Sequence, residues 1–472
     1  MKRPSGSVVA LALAAAALAG CSQEKAPRML AEVYADTIGI KEDRRTPVVV
    51  IPGILGSKLY DAQSDTLVWG AFAGRFANPE KPEGARLLSH PIGLGQPLSE
   101  LTDGVRPDGA LDRIRADVLF LTIELDAYVD ILETLGVGGY RDDQLGRAGA
   151  IPYPEGHYTC FQFDYDWRRD IADAADLLGQ FIEESAAYAA EQRGADGPVK
   201  VDIVAHSMGG LVARYYLRYG RQPLPEDGSL PELTWAGADY VGRVVIVGTP
   251  NFGSSVSLDQ LTDGFRLPFL PSFSPQILGT MPAIYQLLPR TRHGVYTNAD
   301  TGETIDRIFE TDYWIERGWG LADHSERGMK QIRRLLPDAA DDEERKRIAL
   351  DHLDKCLRRA EQFHRAMDLE AEPPRGLELK LVAGDAEATP IEAIIDEDTG
   401  RVRRGATAAG DGTVARYSAL ADERQGNAWR QGLQSPIGWD RVSFYFDDHL
   451  GLTKSPEFTD NVLFYLLEEP RD

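Results

Sequence analysis

A single serine at the end of an apolar run restricts the fold of this chain more than any other feature of its sequence. The run ends at Ala205 and leads through His206 into Ser207, and a helical pattern starts directly afterwards. A strand–serine–helix turn of this kind strains the serine, exposes its hydroxyl at the helix amino end and needs small neighbours. Ala205 and Gly209 are small. The segment predicts a nucleophilic serine on an α/β sheet; the alternative is a turn with an incidental serine.

Short apolar runs without polar alternation recur along the chain, which is typical of strands buried on both faces of a parallel sheet. The strand candidates are residues 47–51, 199–204, 241–247, 377–382 and 442–446. Helical patterns lie between them. One covers residues 171–192 and stops before Gly194, and another starts at Ser455 with Pro456 in its first turn. The alternation predicts an α/β fold with a mostly parallel central sheet and helices on both faces.

Two long stretches interrupt this alternation. Residues 57–110 contain many glycines and prolines and predict a lid-like excursion. Residues 255–375 open with an apolar, proline-rich segment and close with a charged amphipathic helix. About 120 residues is too long for a loop, so this stretch predicts a cap inserted into the core. The core then consists of residues 46–254 and residues 376–472.

The first 20 residues predict export. Two basic residues precede an apolar run over residues 8–19, which is too short to cross a bilayer. The run ends in Leu-Ala-Gly before Cys21, which resembles a bacterial lipobox and predicts Cys21 as the lipidated first residue, followed by a tether over residues 21–45. The alternative is a simple signal peptide with a chance cysteine. Ser22 resembles the pattern of outer-membrane sorting, so we expect a lipoprotein anchored in the outer membrane and facing the periplasm.

Composition excludes several classes of partner. The chain has 51 Lys and Arg against 74 Asp and Glu, a formal charge of −23, which repels nucleic acid and argues against a basic patch on anionic lipid. Of the three cysteines, Cys160 and Cys356 lie in apolar patterns where buried thiols are common, although an exported chain could oxidise them. Lone cysteines do not make a zinc site, and the sequence predicts neither a metal nor an organic cofactor.

A serine nucleophile needs a histidine base and an acid that orients the histidine, and on this type of sheet they follow the serine in the order acid, histidine. His449 is the histidine that follows a late strand candidate, so we expect it to be the base. Asp411 lies on a glycine-flanked loop between the last two strand candidates and is the expected acid. Asp385, directly after the earlier of these strands, is the alternative.

The turn after the first strand candidate predicts an oxyanion hole. Residues 52–57 read Pro-Gly-Ile-Leu-Gly-Ser, and such glycines let the backbone approach a substrate closely. We expect one N–H from Met208 and another from Ile54, with Leu55 as the second choice. An ordinary turn is the alternative reading of this segment.

Together these segments resemble the lecithin:cholesterol acyltransferase family, which includes phospholipid:diacylglycerol acyltransferases. The matching segments are residues 50–57, 164–168, 205–210, 283–289, 410–414 and 448–450. The resemblance implies an α/β-hydrolase fold with an inserted cap and lid. It also implies substrate contacts for Leu55, for Trp69 as the counterpart of a lid tryptophan, and for Tyr285. The family's lid carries a disulfide, whereas this chain has no cysteine between Cys21 and Cys160.

The resemblance also implies an enzyme that cleaves or transfers the acyl group of a phospholipid-like ester through an acyl-serine, with water or an alcohol as acceptor. The apolar opening of the cap, residues 265–289, would line the acyl pocket. Because a fold does not determine a substrate, a general carboxylesterase or triacylglycerol lipase is an alternative. A more remote alternative is a non-catalytic lipoprotein that binds lipid or a partner.

Overall fold

The computed structural model describes a large part of the chain: residues 30–34, 45–70, 76–110, 113–118, 121–126, 128–151, 153, 157–266 and 272–471. The predicted signal peptide, Cys21 and most of the tether lie outside the described residues, as does the proline-rich segment at residues 267–271. Among the helices of the described ranges, none combines the length and the apolar character that a membrane span requires.

The strands in chain order are β1 Val48–Ile51, β2 Ser57–Asp61, β3 Thr66–Trp69, β4 Val105–Ala110, β5 Arg113–Val118, β6 Leu121–Asp126, β7 Cys160–Gln162, β8 Val201–His206, β9 Val241–Val247, β10 Tyr296–Asn298, β11 Glu378–Gly384, β12 Glu387–Pro390, β13 Ala393–Ile395, β14 Val402–Arg404, β15 Thr407–Gly410 and β16 Arg441–Tyr445. Six of them form a parallel central sheet in the order β16-β11-β9-β8-β1-β7. The predicted parallel sheet is therefore confirmed.

The α-helices in chain order are α1 Leu30–Val33, α2 Pro82–Leu88, α3 Val129–Val137, α4 Asp143–Arg147, α5 Ile171–Arg193, α6 Met208–Tyr219, α7 Val256–Asp263, α8 Pro275–Leu278, α9 Pro282–Gln286, α10 Thr311–Arg317, α11 Glu326–Leu335, α12 Asp342–Met367, α13 Arg416–Leu420 and α14 Pro456–Leu463. Short 3-10 segments occur at Leu98–Glu100, Ala236–Asp239, Thr291–His293, Arg307–Phe309, Gly320–Ala322 and Gly451–Thr453, and a π-helical turn at Phe464–Glu468.

Alternate residues of each central strand face opposite layers, because successive side chains of a strand point to opposite sides. In β1, Val49 and Ile51 pack into one hydrophobic cluster together with α5, α6 and α12. Val48 and Val50 pack into a second cluster with α3 and α14. Both faces are therefore covered by helices, as predicted, and this is why the central strands read as unbroken apolar runs.

Local signals placed the helix ends correctly. The Asp170 side chain accepts a hydrogen bond from the backbone N–H of Ala172 at the start of α5, and the helix ends before Gly194. Ser455 accepts a hydrogen bond from Phe458 N–H at the start of α14, with Pro456 as its first residue. Such side-chain caps satisfy N–H groups that have no acceptor inside the helix.

The lid-like excursion contains structure that the sequence pattern did not predict. Strands β3, β2 and β4 form an antiparallel sheet within residues 57–110. β2 mixes polar and apolar residues, so it lacks the unbroken apolar run that identifies the central strands. Further along, β10, inside the predicted cap, pairs with β13, beyond the predicted cap boundary at residue 375. The division into core, lid and cap stays a prediction.

Candidate active site

Ser207 occupies the turn between β8 and α6. Its φ is 54° and its ψ is −129°, a conformation that non-glycine residues rarely adopt. The expected strain is therefore present at this serine. Close packing accounts for the small residue at Gly209, since a Cβ there would lie 2.5 Å from the carbonyl oxygen of Pro52. The turn brings the end of β1 directly against the start of α6.

The structure brings His449 and Asp411 to this serine. The Nε2 atom of His449 lies 2.9 Å from Ser207 Oγ, and its Nδ1 atom lies 2.8 Å from Asp411 Oδ2. A carboxylate accepts only, so Nδ1 carries the ring proton of the neutral imidazole and Nε2 accepts the serine hydroxyl proton. The three predicted residues therefore form one continuous chain of hydrogen bonds.

Asp411 is held as a carboxylate. Burial opposes its ionisation, but the neighbouring His449 and hydrogen bonds to the charged form lower its pKa below the ordinary value. The second oxygen, Oδ1, accepts the backbone N–H groups of Thr413 at 2.9 Å and Val414 at 2.6 Å. The alternative acid, Asp385, lies 3.6 Å from Arg416 instead. The structure therefore brings Asp411, and not Asp385, to the histidine.

The turn after β1 lies against the nucleophile. Gly56 N–H donates to Gly53 O at 3.0 Å, and Leu55 has a φ of 64°. The indole N–H of Trp69 donates to Leu55 O at 2.7 Å and holds this conformation. A Cβ at Gly53 would lie 2.6 Å from Ser207 Cβ, so only glycine fits this approach.

Two N–H groups of this turn remain available. Gly53 N–H donates to the Tyr128 hydroxyl at 2.7 Å, whereas within the described residues neither Ile54 N–H nor Leu55 N–H has an acceptor. Met208 N–H is the first of α6, where no intrahelical acceptor exists. The predicted donors Ile54 and Met208 thus have free N–H groups beside Ser207, and Leu55 stays an alternative.

Two residues that the resemblance connected with substrate are fully buried. Trp69 packs edge-on against Trp167, with ring centroids 5.7 Å apart. The hydroxyl of Tyr285 donates to Gly279 O at 2.9 Å. For Trp69 this places the ring in the core beside the oxyanion turn, and not on an open lid. Contact of either side chain with substrate stays a prediction.

The two cysteines within the described residues are not paired. Cys160 and Cys356 are both free and buried, and burial raises the pKa of each thiol well above the ordinary value. Within the described part of the chain, no three histidine, cysteine or acidic side chains come together in the manner of metal ligands.

Sequence reasoning did not assign two residues at this site, Tyr128 and His206. His206 was visible as the neighbour of the serine, but its position alone does not indicate what its ring contacts. Tyr128 gave no sequence signal, because its contacts are with residues 75 and 78 positions away.

The sequence profile of the lecithin:cholesterol acyltransferase family matches residues 125–372, slightly more than half of the chain. The chain belongs to the lecithin:cholesterol acyltransferase family. The family prediction is thus confirmed. The match includes Ser207, whereas Ile54, Asp411 and His449 lie outside it. The structure brings Asp411 and His449 to the matched serine.

Individual relatives of this acyltransferase-family chain are distant. "Putative phospholipid:diacylglycerol acyltransferase 2" of Arabidopsis thaliana is 23% identical over 240 residues, which are 49% of this chain and 33% of that protein. The chain therefore aligns with about a third of that relative's length. The crystal structure of the Tle4–Tli4 complex covers 89% of this chain and 97% of its own, at 17% identity and a TM-score of 0.54. The structure of Bacillus licheniformis lipase BlEst2 aligns with 90% of this chain and 92% of its own length, at 13% identity and a TM-score of 0.33.

The fold of this family member is the α/β-hydrolase fold. Its parallel sheet carries the serine after β8, near the middle, and the histidine after β16, at one edge. Membership of the lecithin:cholesterol acyltransferase family supports the coarse prediction of an enzyme that processes lipid acyl esters.

Proposed function

We propose that this protein is a serine-dependent acyl-ester hydrolase or O-acyltransferase that acts on phospholipid-like esters through an acyl-serine. The observation that carries the proposal is the hydrogen-bonded chain from Ser207 through His449 to Asp411, in a chain of the lecithin:cholesterol acyltransferase family. A strained, glycine-packed serine that faces a histidine of the correct tautomer is the arrangement that nucleophilic acyl transfer requires.

In the first half-reaction, His449 Nε2 takes the proton of Ser207 as Oγ attacks the ester carbonyl carbon. Asp411 stabilises the positive imidazole, and the N–H groups of Met208 and Ile54 bind the negative oxygen. The C–O bond to the leaving alcohol then breaks, and the alcohol receives the proton from His449. An acyl-serine remains.

In the second half-reaction, His449 takes a proton from water or from an acceptor alcohol, whose oxygen attacks the acyl-serine carbonyl carbon. The serine oxygen leaves and regains the proton from His449. Water yields a free fatty acid, and an alcohol yields a new ester. Both outcomes use the same groups, so the residue set by itself does not choose between hydrolysis and transfer.

We expect the acyl chain of the substrate to lie on the apolar side of the oxyanion turn. Trp69, whose indole N–H holds Leu55 O, has its ring centroid 5.8 Å from that of Phe273. Phe273 belongs to residues 265–289, the segment expected to line the pocket. Both rings are buried, so an acyl chain reaches this aromatic pair only if neighbouring side chains move.

The lipobox that ends at Cys21 supports a membrane-anchored enzyme at the outer membrane, where lipid substrate is concentrated. Mass spectrometry of the mature amino terminus tests this part of the proposal. A diacylated Cys21 is the expected result, and an unmodified amino terminus or a soluble, unacylated chain would contradict the anchor.

A lipid-product assay tests the reaction. Phosphatidylcholine vesicles are incubated with the protein, with and without added dodecanol, and the products are identified by mass spectrometry. We expect lysophospholipid with free fatty acid, and dodecyl ester if an alcohol serves as acceptor. Ser207→Ala should abolish both. Ser185→Ala, which alters a buried serine in α5, is the matched control.

Two outcomes would replace the proposal by its alternatives. Turnover of triacylglycerol or short-chain esters without any turnover of phospholipid would favour a general lipase or carboxylesterase. Failure of a fluorophosphonate probe to label Ser207 in the folded protein, together with no ester turnover, would favour a non-catalytic lipid- or partner-binding lipoprotein.

A further inference from the structure

His206, the residue directly before the proposed nucleophile, is buried at the centre of the site, and its ring packs between His449 and Tyr128. It is 1% exposed, and its ring centroid lies 4.9 Å from that of His449 and 5.5 Å from that of Tyr128. The proposed reaction uses neither His206 nor Tyr128. A buried histidine ring is stable only if both of its nitrogens have hydrogen-bond partners.

The hydrogen bonds of His206 determine its tautomer. Its Nε2 atom lies 3.0 Å from the backbone carbonyl oxygen of His449, which can only accept, so Nε2 carries the proton. Its Nδ1 atom is then an acceptor, and the hydroxyl of Tyr128 donates to it at 3.1 Å. The same hydroxyl oxygen accepts Gly53 N–H at 2.7 Å. Every bond in this chain has one donor and one acceptor.

Both side chains of this row of hydrogen bonds, His206 and Tyr128, stay neutral. Burial and, after it, the neighbouring His449 lower the pKa of His206 to about 3. Burial raises the pKa of Tyr128 above its ordinary value. A neutral His206 also adds no second positive charge beside the imidazole that becomes protonated in the reaction.

This row of hydrogen bonds links the oxyanion turn at one end to the backbone of His449 at the other. Both must keep a fixed distance from Ser207. One end is Gly53, whose Cα side approaches Ser207 so closely that an added Cβ would lie 3.1 Å from Oγ. The other end is the backbone of His449, whose ring faces the same oxygen at 2.9 Å. Because Gly53 N–H is occupied by Tyr128, the free N–H groups of the turn are those of the next residues.

We propose that Tyr128 and His206 are positioning residues: a neutral relay, Gly53 N–H to Tyr128 Oη to His206 to the His449 carbonyl, that holds the oxyanion turn and the general base in register about Ser207. The proposal rests on the proposed function, because it concerns the same site. Neither residue touches the reacting atoms. Their effect is on the distance and angle at which the catalytic groups meet the ester.

The first test removes one hydroxyl. Tyr128→Phe keeps the ring but breaks the relay, and we expect kcat for p-nitrophenyl butyrate to fall about 10- to 100-fold while KM changes by less than about threefold. The matched control is Tyr296→Phe, a fully buried tyrosine whose hydroxyl donates to Pro289 O at 2.9 Å away from the relay. Its kcat should stay within about twofold of the unaltered chain.

A double-mutant cycle then tests whether the two residues act as one unit. His206→Leu removes both ring nitrogens, and with them the donor toward His449 O and the acceptor for Tyr128. We expect a loss of kcat of about 10-fold in the unaltered chain and of less than about threefold in the Tyr128→Phe background. Losses that multiply in the double variant would overturn the relay, as would a Tyr128→Phe variant as active as Tyr296→Phe.

A spectroscopic measurement on the unaltered chain does not depend on how the variants fold. Nuclear magnetic resonance of isotope-labelled histidine, assigned with His206→Leu, reports the protonation of each ring nitrogen. We expect a neutral His206 with its proton on Nε2 at every pH from about 5 to 8. A ring protonated on Nδ1, or a titration within this range, would overturn the proposal.

The outcomes also separate this proposal from the proposed function. If the unaltered full chain turns over neither phosphatidylcholine nor p-nitrophenyl butyrate, or if Ser207→Ala is equally active, the proposed function fails and the relay with it. If the unaltered chain is active and Ser207→Ala is inactive, the Tyr128 and His206 measurements decide the relay alone.

Discussion

At the carboxyl ends of the central strands polar groups are left free to react, whereas at the amino ends charged groups pair with one another. The carboxyl ends carry Ser207, with His449 and Asp411 in line behind it, and the free N–H groups of Ile54 and Met208. Two non-glycine residues at this end, Leu55 and Ser207, have positive φ. The strained backbone at the carboxyl ends lowers the folding stability but holds the serine hydroxyl where a substrate can reach it.

The amino ends of the same strands hold a closed set of ion pairs. The Arg243 guanidinium is 1% exposed and binds both carboxylate oxygens of Glu378 at 2.8 Å. Asp202, fully buried in β8, accepts from Arg471 at 2.9 Å. Glu469 pairs with Lys380 and so ties the last residues of the chain to β11.

The difference shows that the two ends of one sheet have different roles: the amino ends hold ion pairs that stabilise the fold, and the carboxyl ends hold the candidate active site. Polar groups at the amino ends are matched within the chain, so their substitution should affect folding. Polar groups at the carboxyl ends are incompletely matched, so their substitution should affect turnover. Three predictions test this separation and a fourth tests a buried histidine of α12, from the largest expected effect to the smallest.

Asp411→Asn should lower kcat about 10,000-fold with little change in thermal stability. The asparagine carbonyl oxygen can keep the N–H groups of Thr413 and Val414, which leaves the amide NH2 facing His449 Nδ1. The proton of the imidazole then moves to Nε2, which can no longer accept from Ser207. Ester hydrolysis by the purified variant measures the effect, and retention of more than about a tenth of kcat would contradict the assignment.

Arg243→Met should lower the free energy of unfolding by about 3 kcal/mol, because Glu378 loses its buried bidentate partner and keeps only Lys380 at 3.0 Å. The kcat of the folded fraction should stay within about twofold. Arg441→Met is the control, since Arg441 is half-exposed and its 2.9 Å pair with Glu469 should contribute less than about 1 kcal/mol. Urea unfolding followed by tryptophan fluorescence compares the two. Equal destabilisation, or a large loss of kcat in Arg243→Met, would break the proposed separation.

Gly53→Ala should lower kcat about 100-fold, because the added Cβ displaces the oxyanion turn from Ser207. Gly136→Ala is the control: in α3 a Cβ at this position meets nothing within 4 Å, and the change should slightly stabilise the helix. Hydrolysis and melting temperature are measured for both. An active Gly53→Ala enzyme would mean that the turn has more space than the structure gives it.

His352→Gln should reduce the fall in the free energy of unfolding that occurs as the pH is lowered. Burial lowers the pKa of His352 to about 4 in the folded chain, against 6.5 ordinarily. The unfolded chain therefore binds this proton first, and stability falls as the pH decreases through 6.5. Between pH 7 and pH 5 this histidine should remove about 2 kcal/mol. Glutamine can keep the 2.9 Å bond to Thr280 O without titrating. Urea unfolding at both pH values measures the difference, and an unchanged pH dependence would contradict a neutral, buried His352.

Much of the site was predictable because its residues carry strong local signals. Ser207 is identified by the strand before it and the helix after it, and both depend on neighbours within a few positions. The central strands and the ends of α5 and α14 follow from apolar runs and capping side chains in the same way. Chain order reduced the candidates for the base to His449, which follows the last strand. For the acid it left two candidates, the glycine-flanked Asp411 and Asp385.

The polar, mixed strands of the excursion were missed for the converse reason. β2 and β4 are stabilised by each other and by the core beneath them, so their sequences do not show a period of their own. Propensity and pattern describe what a segment can do alone, and such strands form only once a partner is in place.

The sequence by itself determined the class of fold, the family, the candidate nucleophile and the residues from which the candidate acid had to come, because these depend on local pattern and chain order. Only the tertiary structure decided that Asp411 meets His449, that Trp69 is buried beside the oxyanion turn, and that Cys160 and Cys356 stay apart. It alone joined Tyr128 to His206 across 78 positions and His206 to the His449 backbone across 243. Contacts over such separations exist only when the whole sheet and its helices are packed, so no local pattern encodes them.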